Sequence, residues 1–323
     1  MTSLQGAVRR RWWIEGAAGT RGGMGIAGLD WGGDRPIALL HHANGFCAAT
    51  LAPLAQLLNP HYRVIAIDGR GQGDSDSPLL PEGVQWERFA DDIAAVATQI
   101  LDESGHDRIE YGIGSSFGGT VTAIAEARRP GPFARIAMLD PPLHLSDEWL
   151  EEAGLDTAVR ARSRPELVDL ARRRRAVWRS REFIRQAWKD KPMFASWTAA
   201  AFDLYINEGF RDLPDGTVML KCSPEVEAAV FEATSPDLNI FEVVTAVACP
   251  TLLVHAGRGY FPPPLHERFA AQFQDGTFLN ADAGHLMPLE VPEYCAQLLL
   301  GFAGQQPSTP SSSTSSAVST SIS

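Results

Sequence analysis

Five short stretches of the chain are predominantly apolar and are bounded by glycine, proline or aspartate: residues 36–42, 62–68, 108–114, 133–139 and 250–257. Runs that are apolar on both faces are typical of strands buried in a parallel sheet. Amphipathic stretches of helical length lie between and after them, at 49–58, 88–104, 117–129 and 264–273. This alternation predicts an α/β fold with a doubly wound, mostly parallel sheet. Upstream, residues 12–31 hold two short candidate strands, which we expect to form an antiparallel edge.

The alternation breaks between about residue 143 and residue 246, where the pattern is mostly helical. A helical insertion between two sheet strands is best interpreted as a cap over the carboxyl edge of the sheet. We therefore predict a core formed by residues 1–142 and 247–304, with a mainly helical cap at 143–246. The last segment, 305–323, is dominated by Ser, Thr and Pro. It has too little apolar surface to offset its ordering entropy and is predicted to be disordered.

Composition narrows the possible functions. The 323 residues carry a formal net charge of −11, which argues against a nucleic-acid partner. The four cysteines are scattered without ligand spacing, so neither a metal site nor a disulfide framework is expected. No apolar run has the features of a signal peptide or the length of a membrane span, so we expect a cytoplasmic protein without a membrane partner. The oligomeric state stays open.

The clearest chemical signal is the segment YGIGSSFGGT at 111–120, where a predicted strand meets a predicted helix. In a G-x-S-x-G turn, small residues stand two positions on either side of the nucleophile, because strand and helix backbones approach closely there. Around Ser115 those two positions hold bulky side chains, whereas around Ser116 they hold Gly114 and Gly118. The segment lacks the glycine register of a dinucleotide-binding turn or a P-loop. Ser116 is therefore the candidate nucleophile.

Four motifs occur in order along the chain: HHANGF at 41–46, DGRGQGDSD at 68–76, GSSFG at 114–118 and ADAGHLMPLEVPE at 281–293. On these motifs, the sequence resembles the α/β-hydrolase superfamily across residues 12–304. In that superfamily they correspond to the oxyanion loop, a loop-ordering segment, the nucleophile elbow and the loop of the catalytic histidine. One departure is Asn44, which replaces the usual histidine of the oxyanion loop.

The chemistry of a serine nucleophile requires a base, because its hydroxyl is a poor nucleophile at neutral pH. His285, in the Ala-Gly-His segment, has the residue type and the position for this role. The resemblance further implies that the backbone N–H groups of Phe46 and Phe117 form the oxyanion hole. It implies no cofactor and no metal.

The third member of the expected triad is less obvious. Most members of the superfamily carry an acid in the loop after the next-to-last strand, where this chain has Arg258 and no carboxylate. Asp140, at the end of the strand after the elbow helix, is the best replacement, because some members place their acid there and the order Ser, Asp, His is kept. It would accept the Nδ1–H of His285. The alternative is that Asp140 only caps the turn before two prolines. Asp282 lies too close to His285 in sequence to reach back to it.

The predicted cap and the adjoining loop are rich in aromatic residues, which suggests an apolar roof over the site. Aromatic residues at helical spacing also form cores, so only some of them are expected to face a substrate. The expected pocket residues are Gly45, Cys47, Trp188, Trp197, Tyr205, Tyr260 and Phe261. An apolar pocket of this kind favours a hydrophobic small-molecule substrate. The arginine run at 172–175 is interpreted as solvated cap surface, because consecutive helical residues point in different directions.

These features together predict a serine hydrolase that acts on a hydrophobic ester or lactone through an acyl-enzyme. The same triad could instead cleave a carbon–carbon bond in a diketone or transfer the acyl group to an acceptor other than water. A third possibility is a cofactor-free lyase or oxygenase in which His285 acts only as a base. A ligand-binding protein with vestigial catalysis is the remaining alternative.

Overall fold

An eight-stranded sheet forms the centre of the protein. The structure, a computed structural model, describes residues 4–143, 158–233 and 238–304. The strands of this sheet are β1 (Val8–Glu15), β2 (Gly23–Asp30), β3 (Ile37–His41), β4 (Arg63–Ile67), β5 (Tyr111–Ser115), β6 (Ile136–Leu139), β10 (Thr251–Arg258) and β11 (Gly276–Gly284). Their order is β1-β2-β4-β3-β5-β6-β10-β11. β1 and β2 pair antiparallel at one edge, β2 is also antiparallel to β4, and all other pairs are parallel.

Helices cover both faces of the sheet, which confirms the doubly wound fold predicted from the sequence. The helices of the core are α1 (Ala52–Leu58), α2 (Trp86–Ser104), α3 (Phe117–Arg128), α10 (Pro263–Ala270), α11 (Met287–Glu290) and α12 (Pro292–Ala303). α2, α3 and α10 pack with one face of the strands in one apolar cluster, while α1 and α12 pack with the other face in a second cluster. Alternate residues of β3 follow this division, with Leu39 in the first cluster and Leu40 in the second.

The five predicted strands all occur, each shorter or shifted by a few residues from its apolar run. β11 was not among the predicted strands. It forms the free edge of the sheet beside β10, and most of its side chains up to Asn280 are exposed or half-buried. A strand at an edge therefore lacks the continuous apolar pattern that identifies a buried one.

The region between β6 and β10 contains helices and a small separate sheet. Its helices are α4 (Ala158–Arg172), α5 (Arg181–Trp188), α6 (Pro192–Ala195), α7 (Ala199–Glu208), α8 (Pro224–Glu232) and α9 (Ile240–Val243). Three short antiparallel strands, β7 (Val177–Trp178), β8 (Phe210–Asp212) and β9 (Val218–Leu220), form the order β7-β9-β8. The side chains of Ser180, Thr198 and Ser223 accept N–H bonds at the starts of α5, α7 and α8, which fixes where these helices begin. The division of the chain into core and cap stays a prediction.

Aromatic residues form the interior of this predicted cap. A cluster that includes Trp178, Trp188, Phe194 and Phe210 also takes in Phe46 from the core. Among the described helices, none combines the length and the apolar character needed to cross a membrane. The predicted disordered segment 305–323 lies outside the described residues.

Candidate active site

Ser116 stands at the turn between β5 and α3 and has a positive φ of 52° together with a ψ of −126°. A non-glycine residue rarely adopts this conformation, and it costs conformational energy wherever it occurs. The Ser116 N–H donates to Leu139 O at 2.8 Å, so the end of the neighbouring strand β6 holds the turn in place. The turn is therefore built against local preference, as in the nucleophile elbows that present a serine side chain.

The glycines around Ser116 allow strand and helix to approach each other. A Cβ atom on Gly114 would lie 2.2 Å from the backbone nitrogen of Gly119, and one on Gly118 would lie 2.4 Å from His41 O. A Cβ atom on Gly119 would lie 2.9 Å from Gly114 O. No side chain fits at such distances, so the glycine spacing that selected Ser116 in the sequence reflects a direct steric requirement.

Ser116 belongs to a hydrogen-bonded chain of three side chains. Ser116 Oγ lies 2.8 Å from His285 Nε2, and His285 Nδ1 lies 2.6 Å from Asp140 Oδ2. Because an ionised carboxylate can only accept, His285 carries its proton on Nδ1 and presents a bare Nε2 to the serine hydroxyl. The structure thus brings together the three residues selected as nucleophile, base and acid.

Asp140 is fully buried and is held from two sides. Its Oδ1 accepts the N–H of Ala256 at 2.9 Å, and its own N–H donates to Val254 O at 2.7 Å. Like Ser116, it has a positive φ, of 49°. The carboxylate therefore has two jobs: it fixes the backbone of β10 and it faces His285. Among the described residues, the Asp140 side chain bonds to β10 and to His285 and not to the backbone of its own turn, so the geometry favours the acid role over turn capping, and that role stays a prediction.

The loop that carries His285 is clamped by Glu290 of α11. The two oxygens of the Glu290 carboxylate accept the N–H groups of Gly284 at 3.1 Å and Leu286 at 3.2 Å, the residues on either side of His285. Asp282 does not take part: its exposed side chain forms an ion pair with Arg258. The motif that follows the histidine in the sequence thus contains a residue that orients it.

The two expected oxyanion donors belong to different segments, the start of α3 and the loop after β3. Phe117 is the first residue of α3, so its N–H has no acceptor within the helix, and the positive end of the helix dipole lies there. The Phe46 N–H is 3.4 Å from Ala43 O, a long and weak hydrogen bond. Their role as the oxyanion hole stays a prediction.

The loop before Phe46 is tied to the cap and to the core. Gly45 donates its N–H to Gln72 Oε1 at 2.7 Å, and its carbonyl accepts from the Tyr205 hydroxyl at 3.2 Å. Asn44 Nδ2 donates to the backbone carbonyl of Glu227 at 3.0 Å. Gly45 has a φ of 86°, and a Cβ on it would lie 2.7 Å from Glu227 Oε1. The positive φ favours glycine here, and the Glu227 side chain from the predicted cap leaves little room for a Cβ atom.

Arg174 is the exception within the arginine run. It forms an ion pair with Glu227, and its Nη2 donates to the Tyr205 oxygen at 2.5 Å. Its neighbours Arg172, Arg173 and Arg175 are exposed, in agreement with the surface interpretation. One arginine of the four therefore points inward and joins the polar cluster above Gly45.

The remaining pocket candidates occupy different environments. The ring of Tyr260 lies 4.8 Å from that of His285, and the Trp197 ring lies 5.4 Å from Phe46. Trp188 stacks on Phe194 inside the predicted cap, and Phe261 packs against His266. Cys47 is buried, and burial raises the pKa of its thiol, so it is a poor nucleophile. Their contact with a substrate stays a prediction.

His41 and His42 order the strand end beside the oxyanion loop. His42 Nε2 accepts the N–H of Gly69 at 3.0 Å, so its Nδ1–H donates to Ala43 O at 2.7 Å. His41 Nδ1 pairs with His42 O at 3.0 Å. Burial lowers the pKa of His41 to about 3 and that of His42 to about 4, which keeps both rings neutral and scaffold-like at neutral pH.

The segment at 68–76 also orders loops near the site through buried hydrogen bonds. Asp68 accepts the N–H groups of Ala48 at 2.6 Å and Asp74 at 2.9 Å, and burial raises its pKa to about 6. Arg70 forms a buried two-point ion pair with Asp92 at 2.7 and 2.6 Å. These groups act on the backbone around the site and do not reach Ser116 or His285 through any hydrogen bond of the described residues.

Sequence reasoning missed most of the contacts that hold the site from a distance, and it suggests Tyr205 only as a pocket residue. Gln72 accepts the Gly45 N–H, Tyr205 donates to the Gly45 carbonyl, and the Glu227 carbonyl accepts from the Asn44 side chain. These contacts join residues far apart in the chain. Glu290 had a signal, its fixed place after the Gly-His segment, but no pattern indicated what it binds.

The chain is similar to known proteins in sequence and in fold. The model of the alpha/beta hydrolase family matches residues 38–298. The chain is 29% identical over 131 residues to the 2-(acetamidomethylene)succinate hydrolase of Mesorhizobium japonicum; the alignment covers 41% of this chain and 44% of that protein, less than half of the curated relative.

Two solved structures are similar over most of the chain. The crystal structure of an E-2-(acetamidomethylene)succinate hydrolase superposes with a TM-score of 0.73 at 18% identity, covering 92% of this chain and 98% of the other. A malate-bound thermophilic esterase from Thermogutta terrifontis superposes with a TM-score of 0.64 at 22% identity, covering 91% and 97%. At these identities the likeness shows the fold.

We expect Gly118→Ala to destabilise the protein by roughly 1–3 kcal/mol, because the new methyl group meets the backbone of β3 and cannot be accommodated by a rotamer change. Gly301→Ala, at an exposed position of α12 with open space around it, is the matched control and should stabilise by about 0.5–1 kcal/mol. Urea unfolding of both variants measures the difference. Equal stability of the two variants would contradict the steric account of the elbow.

Proposed function

The chain belongs to the alpha/beta hydrolase family, and we propose that it is a serine hydrolase that cleaves a carboxylic ester or a lactone of a hydrophobic small molecule. The observation that carries the proposal is the hydrogen-bonded chain from Ser116 through His285 to the buried Asp140. A serine, a neutral imidazole and a carboxylate in this order form a nucleophile with its base and the group that orients the base.

In the first half of the reaction, Ser116 Oγ attacks the carbonyl carbon of the substrate while its proton passes to His285 Nε2. The imidazolium that forms is stabilised by Asp140, which keeps its charge and takes no proton. The oxygen of the tetrahedral intermediate points to the N–H groups of Phe117 and Phe46. When the intermediate collapses, the bond to the leaving group breaks, and His285 donates the proton to the departing oxygen.

In the second half, water repeats the sequence on the acyl-enzyme. His285 removes a proton from the water, the resulting hydroxide attacks the acyl carbon, and the bond to Ser116 breaks as the serine recovers its proton. The carboxylic acid then leaves. For a lactone, the leaving oxygen stays attached to the acyl group, so the product is a single hydroxy acid.

The aromatic cluster beside the oxyanion loop supports a hydrophobic acyl or alcohol group. The ring of Phe46 packs against those of Trp197 and Tyr205, with centroids 5.4 and 5.0 Å away, so the side chain of the residue whose N–H is an expected oxyanion donor faces an apolar wall. The likeness to an esterase structure is consistent with an ester substrate.

A second candidate is hydrolysis of an amide bond by the same residues. It is favoured by the similarity to proteins named 2-(acetamidomethylene)succinate hydrolase, found in the sequence and in the structure comparison, because a compound of that name contains an amide group. In this case His285 would protonate a departing nitrogen in place of an oxygen. The two candidates share the acyl-enzyme and differ in the leaving group.

We expect Ser116→Ala to lose all measurable turnover of short p-nitrophenyl esters and all labelling by a fluorophosphonate probe, because the attacking oxygen is gone. Ser115→Ala is the matched control, since it removes the neighbouring hydroxyl, which forms no part of the triad. It should keep activity and labelling. Parallel assays with amide substrates separate the two leaving groups.

Full activity in Ser116→Ala would rule out the acyl-enzyme and would favour a lyase or oxygenase reaction in which His285 is only a base. The wild type could instead turn over diketones or transfer the acyl group to an added alcohol. If Ser116→Ala loses that activity, the role of the triad stands and the reaction assigned to it changes.

We expect Asp140→Asn to reduce kcat on the order of 10³–10⁴-fold, because an amide no longer holds His285 in the tautomer with a bare Nε2. The fold should survive, since asparagine tolerates the left-handed backbone of this position. Asp282→Asn, which changes an exposed carboxylate close to His285 in sequence, serves as control and should retain kcat. Steady-state kinetics and thermal unfolding measure both effects. An active Asp140→Asn variant would show that Asp140 has only a structural role in its turn.

A further inference from the structure

Two histidines that the proposed mechanism does not use lie directly behind Asp140. His255 on β10 is 1% exposed and His266 on α10 is fully buried. Their Nδ1 atoms are 2.9 Å apart, and each lies within 3.7 Å of Asp140 Oδ1. The other ring nitrogen of His266, Nε2, is 2.9 Å from the carbonyl oxygen of Pro141, the residue that follows the acid.

The hydrogen bonds fix where the protons of this pair lie. A carbonyl oxygen can only accept, so His266 carries a proton on Nε2 and donates it to Pro141 O. In a neutral ring Nδ1 is then an acceptor, so His255 must donate its Nδ1–H to it. Burial lowers the pKa of His266 to about 4 and also lowers that of His255, which agrees with two neutral rings at neutral pH.

The three donor atoms are also spaced closely enough to hold a cation, but the ring positions favour the hydrogen bond. The ring centroids are 5.1 Å apart, which is close to the nitrogen–nitrogen distance plus the two ring radii. The two Nδ1 atoms therefore lie on the line between the rings and point at each other. In a shared metal site both would point at a third position instead.

The hydrogen bond from His266 to Pro141 lies next to Asp140, a strained position of the backbone. Asp140 has a left-handed backbone, which a non-glycine residue keeps only when its surroundings impose it. The surroundings here are hydrogen bonds to consecutive groups: Val254 O holds the Asp140 N–H, His266 holds the Pro141 carbonyl, and the Thr120 hydroxyl holds the Pro142 carbonyl at 2.8 Å. His266 supplies the only side-chain donor to the Pro141 carbonyl among the described residues.

We propose that His255 and His266 are positioning residues for Asp140. His266 holds the Pro141 carbonyl, so that the left-handed turn directs Oδ2 at His285, and His255 fixes the tautomer in which His266 can do this. Because both rings are neutral, the His285 imidazolium is the one cationic partner that the described residues give the Asp140 carboxylate during the reaction. The catalytic consequence rests on the proposed function; the effect on the Asp140–His285 hydrogen bond does not.

The test compares His266→Leu, which removes the donor, with His266→Gln, whose amide can still donate to Pro141 O. We expect His266→Leu to lower kcat on a p-nitrophenyl ester by about tenfold or more, with KM changed less than twofold, because the acid is misplaced while the pocket is intact. The acid limb of the kcat/KM profile should move to lower pH, because a displaced carboxylate stabilises the His285 imidazolium less. His266→Gln should restore most of kcat and the original limb.

Leu265→Ala, a buried change on the same helix, is the control for a merely structural role. It should lower the unfolding temperature without moving the acid limb. If His266→Leu does not fold, His255→Phe gives the same test, with an expected shift in the same direction. Wild-type kcat and an unmoved acid limb in the folded variants would overturn the proposal.

A second measurement is independent of turnover. The proton of a short histidine–carboxylate hydrogen bond gives a low-field ¹H NMR signal, which we expect in the wild type and in His266→Gln and expect to move upfield or vanish in His266→Leu. An unchanged signal would overturn the proposal even in an inactive protein. Activity retained by Ser116→Ala would instead refute the hydrolase mechanism alone.

Discussion

A carboxylate that is completely removed from water is the constraint around which this molecule is organised. Burying such a group is costly unless hydrogen bonds replace its hydration, and Asp140 obtains them from the Ala256 N–H and from His285. Both partners belong to segments that follow the cap in the chain. The end of β6, the end of β10 and the loop after β11 must therefore meet at one place before the carboxylate is satisfied. The same contacts that satisfy it place the imidazole against Ser116.

The oxyanion loop is constrained in a different way, by elements on both of its sides. From the core, Gln72 binds the Gly45 N–H; from the predicted cap, Tyr205 binds the Gly45 carbonyl. Burial raises the pKa of the Tyr205 hydroxyl, which keeps its proton available for this bond. The loop next to the nucleophile is thus defined by the position of the residues above it as well as by the sheet below it, and the aromatic wall around Phe46 shares that dependence.

Much of this arrangement could be predicted from local sequence. Buried strands are indicated by apolar runs. The elbow is indicated by glycines, which have no side chain and so leave room for a neighbouring backbone. Asp140 could be selected because it ends the strand after the elbow helix, where some members of the superfamily carry their acid, and because the order Ser, Asp, His is kept. The exposed strand β11 and the short strands β7 to β9 were not predicted. An edge strand, or a strand of two or three residues, has no distinct hydrophobic pattern in the sequence. The inward turn of Arg174 and the pairing of His255 with His266 depend on tertiary contacts that no local pattern encodes.

The position of the acid has a consequence for how such a protein can change over time. Ser116 and Asp140 both belong to the β5–α3–β6 unit, and the long insertion begins only after it. The spacing between nucleophile and acid is therefore set within one contiguous supersecondary module. Lengthening, shortening or exchanging the insertion leaves that spacing untouched, provided that His285 still returns to the sheet edge and that the contacts of Tyr205 and Glu227 with Gly45 and Asn44 are kept. The loop after β10 contributes no acid; it places the Tyr260 ring against the imidazole, and its Gly259 passes so close to the Asp140 carboxylate that a side chain there would meet it.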